Sequence, residues 1–165
     1  WIHMWVEDGN GEVIFESGAV DERGFITGND NDLDPALYEP HYLQIDSPDQ
    51  VQIYEAIMQN TDNEVTTTLL RAAAYAKDNR LLPKGWTPDG PPGFAADPEW
   101  GEKYVIATTP KGNVVADRAF RDGTGSDIVT YQITLPPAMK DLTDSQVIEL
   151  RQCGNRDEVL EADYS

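Results

Sequence analysis

Cysteine is almost missing from this sequence, and histidine is nearly as scarce. Cys153 is the only thiol, so no disulfide forms within the chain. No CxxC, CxxCH or Cys/His cluster is present to hold zinc, an iron–sulfur cluster or covalent haem. Cys153 reads as an inert thiol. His3 and His41 are the only imidazoles, and a lone histidine in an apolar stretch serves structure more often than ligation, so neither stands out as catalytic. No apolar run approaches the roughly 20 residues that span a bilayer. No basic segment followed by an apolar one marks a signal peptide. Positive charge is also short: 12 Lys and Arg stand against 30 Asp and Glu, for a formal net charge of -18. A field of that sign repels nucleic acid and anionic membrane surfaces. It suits salty or cation-rich surroundings or a basic partner, and it also serves plain solubility. GxSxG, HExxH and a phosphate-cradling glycine loop are absent. Carboxylates are so plentiful that no pair of them points to a glycosidase. No enzyme is expected of this chain.

What remains is a folding sequence of one domain's length, 165 residues with 39% hydrophobic residues and four tryptophans. Period-two patterns dominate. Residues 1–6 and 13–15 flank Asp8-Gly9-Asn10-Gly11, whose glycines and asparagine supply the positive φ of a tight hairpin turn. Residues 42–45, 51–58, 104–108, 113–116, 128–135 and 147–150 read as further strands, while 65–76 is split between a Thr-rich strand and an Ala-rich helix. Prolines and glycines rule out regular structure over most of 85–100, though Trp86, Phe94 and Trp100 suggest that it packs down. Short strands between turn signals predict a mostly β fold, an antiparallel β-sandwich with long irregular loops, over residues 1–165 as one domain.

Two acidic segments and one mixed segment carry candidate sites. In the irregular stretch 17–40, Asp30, Asp32 and Asp34 alternate with asparagines, with Glu39 beyond. Calcium takes six to eight oxygen ligands, and closely spaced loop carboxylates supply several, so these aspartates are the candidate calcium ligands. The EF-hand pattern fails at Pro35, and a solvated acidic loop is the plain alternative. In the turn 117–127, Asp117 and Asp127 bracket Arg118 and Arg121, and local arginine pairing with Asx turns accounts for it. In the third segment Lys77, Asp78, Asn79 and Arg80 precede Leu81, Leu82 and Pro83. Here Asp78 pairs with Arg80, Asn79 bonds to backbone, and Leu81 and Leu82 enter the core. Asp78, Asn79 and Arg80 are therefore structural candidates, since buried charge is tolerated only when paired.

This third segment, Asp78-Asn79-Arg80-Leu81-Leu82-Pro83-Lys84-Gly85-Trp86, resembles a signature in the C-terminal, non-haem domain of large multihaem c-type cytochromes. The likeness extends to Trp1-Ile2-His3, to Phe15-Glu16-Ser17-Gly18-Ala19, to Asp49-Gln50-Val51-Gln52-Ile53-Tyr54-Glu55 and to Gly125-Ser126-Asp127-Ile128-Val129-Thr130-Tyr131. The resemblance implies a β-sandwich appended to a haem-bearing region in an exported, periplasmic or extracellular electron-transfer protein. Haem c belongs to the parent or partner, and no cofactor other than calcium is expected within this chain. It also implies that the chain is the C-terminal fragment or a subunit part of something larger. The rival from a different class is a calcium-stabilised surface or carbohydrate-binding module, in which Trp5, Trp86 and Trp100 would expose their faces together.

Overall fold

The computed structural model describes residues 1–93, 96, 97, 99–135 and 149–153. Strands β1 (His3–Glu7) and β2 (Val13–Ser17) form the expected antiparallel hairpin. The turn is closed by Asp8, whose Oδ1 accepts the N–H groups of Asn10 and Glu12. Two other loops repeat this device: Asp21 Oδ1 accepts from Arg23 and Phe25, and Asn60 Oδ1 accepts from Asp62 and Glu64. Part of the chain's acidity is thus spent on turns, where a short carboxylate satisfies backbone donors that no ladder reaches.

Alternation along β1 buries Met4 and Val6 on one face. With Phe15 and Ile45 they form the main apolar cluster, flanked by Ile2, Ile14, Tyr42, Val129, Tyr131 and Ile133. Strand β7 (Glu149–Cys153) pairs antiparallel with the other edge of β1, giving the order β2-β1-β7. Of the strand expected at 147–150, residues 147 and 148 lie outside the described residues, as do Phe94 and the acidic tail from Asp157. Strands β3 (Gln44–Ile45) and β6 (Thr130–Tyr131) make a two-residue parallel pair. That pairing departs from the all-antiparallel expectation, and the long intervening chain supplies the crossover that a parallel pair requires. Strands β4 (Ala56–Gln59) and β5 (Ala74–Asp78) form a separate antiparallel pair.

Several expected strands are shorter or different. Residues 104–108 belong to helix α1 (Gly101–Thr108). Asp97 starts this helix by accepting the N–H groups of Glu99 and Trp100 on Oδ1 and that of Gly101 on its carbonyl, a capping signal that outweighs the apolar run Val105-Ile106. Residues 113–116 form a 3-10 turn entered through Gly112 at φ 86°. The 65–76 stretch resolves into a β-bridge at Val65, a 3-10 turn at Leu69–Arg71 and then β5.

The expected strand 51–58 enters a ladder only at β4. Over residues 51–55 the backbone bonds from Ile2 to Gln52 and from Asn79 to Glu55 are joined by side chains that serve the groups between them. Lys77 Nζ and Asn79 Nδ2 both donate to the Ile53 carbonyl, and Asn79 Oδ1 accepts the Glu55 N–H. At the end of β5 the leucines do not follow the sequence expectation: Lys77, Asp78 and Asn79 are buried, while Leu81 is half exposed and Leu82 only partly buried. The apolar residues lose this place because the adjoining backbone offers unpaired donors and acceptors, which only polar side chains can satisfy.

Candidate functional site

The polar interior converges on His41, whose ring is fully enclosed. Nδ1 lies 2.7 Å from Gln52 Nε2 and 3.2 Å from Asn79 Nδ2. Both amides are held in one orientation by backbone: Gln52 Oε1 accepts the Tyr42 N–H, and Asn79 Oδ1 accepts the Glu55 N–H. Each therefore presents its NH2 group to Nδ1, which can only accept. The ring proton then sits on Nε2, where it donates to Asp117 Oδ2 at 3.2 Å, with Asp127 Oδ2 at 3.9 Å.

The two aspartates are anchored in turn. Asp117 Oδ1 accepts the Phe120 N–H. Asp127 Oδ2 accepts the Tyr54 hydroxyl at 2.7 Å, and its Oδ1 accepts the Ile128 N–H. Burial pushes the Asp127 carboxyl above the ordinary carboxylate range, and the nearby Asp117 charge adds to that. The Tyr54 hydroxyl, the His41 ring and the Ile128 N–H pull the other way. The backbone of His41 is also clamped, since Asn113 Oδ1 accepts its N–H and Asn113 Nδ2 donates to its carbonyl.

His41, Asp117 and Asp127 bring ligand atoms within 4.8 Å of one another, close enough for a cation. Their hydrogen bonding does not suit one. A metal on Nε2 needs the proton on Nδ1 and an acceptor beyond it, and here Nδ1 faces two NH2 donors. The arrangement joins the loops that carry His41, Gln52, Asn79, Asp117 and Asp127.

The calcium candidates behave differently. Asp32 Oδ2 accepts the Ile26 N–H, Asp34 Oδ1 accepts the Ala36 N–H, and the Asp30 N–H donates to Glu39 Oε1. Asp30 and Asp32 lie in a 3-10 turn. Among the described residues, the group that draws three ligand atoms together is the His41 trio and not these aspartates.

The structural candidates fall as expected in part. Asp78 and Arg80 make a two-pronged ion pair, Nε to Oδ1 at 2.9 Å and Nη2 to Oδ2 at 2.7 Å. Asn79 bonds to backbone as anticipated, and also reaches His41. The turn 117–127 needs a correction. Arg121 donates to the Val115 carbonyl, while Asp117 and Asp127 point inward at His41; only Asp122, which accepts the Thr124 N–H, makes the foreseen Asx turn.

Separated sequence motifs meet in this frame. Tyr54 joins Asp127, and Asn79 joins Ile53 and Glu55. Gly125 at φ 81° turns so close to Lys84 that a Cβ would lie 2.8 Å from its backbone nitrogen. At Gly18, φ 75°, an added Cβ would collide with the Ile2 carbonyl and lie 3.0 Å from Val51 Cγ2. Of the three candidate tryptophans, Trp86 is buried at 5% exposure, Trp5 donates to Glu7 and packs against the His3 ring, and Trp100 is half exposed beneath the Lys103 ammonium. No family model, curated protein or solved structure matches this chain.

Proposed function

We propose that the chain is a non-catalytic accessory domain of an exported multihaem cytochrome electron-transfer protein, packing against the haem-bearing region or mediating assembly. The observation that carries this reading is where the motifs behind the resemblance go. Asp78, Asn79, Tyr54 and Asp127 spend their side chains on one another and on backbone, and Gly18 and Gly125 admit close backbone approaches, so all six build the frame. A signature spent on architecture fits a scaffold whose chemistry belongs to haems elsewhere. The sandwich reading is supported by the apolar cluster that β1 and β2 share with β3 and β6, including an edge-on Phe15–Tyr131 contact. No described helix is long and apolar enough to cross a membrane, and the charge of -18 favours a basic partner face. The carbohydrate-module rival loses one of its three tryptophans with the burial of Trp86.

The test is to isolate the intact native gene product with an antibody raised against this chain and to stain it for covalent haem. Covalent haem on the same polypeptide, or on a stoichiometric partner, is expected. A haem-free product with no haem-bearing partner would contradict the proposal.

A further inference from the structure

Two carboxylates converge on a single N–H donor inside the protein. Asp117 and Asp127 both aim Oδ2 at His41 Nε2, and their side chains are only 5% and 2% exposed. One N–H serves one carboxylate well. A second negative charge within 4.8 Å, screened by almost no water, raises the energy of the fully ionised cluster. The ring cannot relieve this by taking a second proton on Nδ1, because that proton would point at the NH2 groups of Gln52 and Asn79.

We infer that His41, Asp117 and Asp127 form a buried proton-sharing latch, which ties segment 117–127 to residues 41–54 while one carboxyl is protonated and loosens as the pH rises. The groups facing the trio come from every adjoining segment: Tyr54 and Gln52 from 51–55, Asn79 after β5, and the Phe120 ring 5.3 Å from His41. Of these only Tyr54 titrates, and its hydroxyl donates to Asp127. Asp127 is the carboxyl that burial pushes up, so the latch assigns the shared proton to it. A carboxyl raised on folding binds its proton more tightly in the folded state. Its contribution is complete below the ordinary carboxylate value and is lost as pH climbs through the folded one. Deprotonation releases the proton to solvent and leaves two like charges around one donor.

The experiment is carbonyl-detected carbon NMR of the aspartate carboxyls across pH on the 165-residue chain, with thermal unfolding of the wild type, Asp127→Asn and the exposed control Asp62→Asn. Asp127 is expected to titrate above 3.8. The wild-type folding constant should fall by up to tenfold per pH unit across that titration. Asp127→Asn should show a flatter profile, and Asp62→Asn should follow the wild type, which removes the general effect of a charge of -18. Titration of Asp127 at or below 3.8, parallel wild-type and Asp127→Asn profiles, or zinc stabilisation abolished by Asp127→Asn would overturn the latch. If Asp127→Asn fails to fold, the carboxyl titration of the wild type decides alone.

Discussion

Replacing Asn79 with alanine removes a side chain that serves backbone groups of Ile53 and Glu55 outside any strand ladder. Three bonds go: from the Glu55 N–H to Oδ1 at 2.9 Å, from Nδ2 to the Ile53 carbonyl at 2.8 Å, and from Nδ2 to His41 Nδ1 at 3.2 Å. Two of the partners keep another donor, since Ile53 retains Lys77 Nζ and His41 retains Gln52 Nε2. The Glu55 N–H is left without its acceptor. One orphaned, partly buried donor costs about 1–3 kcal/mol, and the weakened bonds and small void add to it. Asn79→Ala should therefore destabilise by about 3 kcal/mol. For a chain of this size that is about 6–12 °C in the thermal midpoint. Asn79→Asp keeps the acceptor for Glu55 but points an oxygen at the Ile53 carbonyl and at Nδ1, so its loss should be at least as large. Differential scanning calorimetry reads both. Cooperative unfolding with an Asn79→Ala midpoint within about 1 °C of the wild type would refute the view that this side chain replaces a ladder.

Gly18→Ala should cost about 3 kcal/mol or more by urea denaturation, because it forces a left-handed φ on alanine and drives Cβ into the Ile2 carbonyl; a neutral effect would mean that the bend after β2 relaxes freely. A double-mutant cycle on Asp78 and Arg80 should give a coupling of about 1–2 kcal/mol, since the carboxylate is nearly buried and the guanidinium half exposed; zero coupling would make the pair ornamental. On the acid side, backbone N–H groups hold the carboxyls of Asp8, Asp21 and Asp122 below their ordinary value, so what they contribute is present above that value and lost as pH falls through the lowered one; an acid-unfolding curve flat below 3.8 would contradict this. Calcium and magnesium should raise the midpoint equally, with both gains removed by high salt. A calcium-specific gain that survives salt would make Asp30, Asp32 and Asp34 a true calcium loop.

The β1–β2 hairpin could be read from its turn chemistry, because Asp8 to Gly11 acts within a few residues of itself. So could the Asp78–Arg80 pair. Helix α1 was hidden by its own apolar centre, although Asp97 placed just ahead of Glu99 and Trp100 is a local cap that marks it. The His41 frame could not be read locally. Its partners Gln52, Asn79, Asp117 and Asp127 come from three separate segments, and no spacing rule connects residues 76 positions apart. The burial of Lys77 and Asn79 with Leu81 left outside has the same origin. Which residue enters depends on the backbone groups of Ile53 and Glu55 that lie outside any strand ladder, a property of the neighbouring segment and not of the stretch itself.

The interior frame stands or falls with the proton on His41. With only two histidines in the chain, and His3 hydrogen-bonded to Glu16 as a partly exposed internal reference, long-range proton–nitrogen correlation of the imidazoles resolves the question directly. His41 should show a pyridine-type Nδ1 and a protonated, pyrrole-type Nε2. A proton on Nδ1, or an imidazolium signature at neutral pH, would contradict the orientation of Gln52 and Asn79 and with it the account of how these loops are held together.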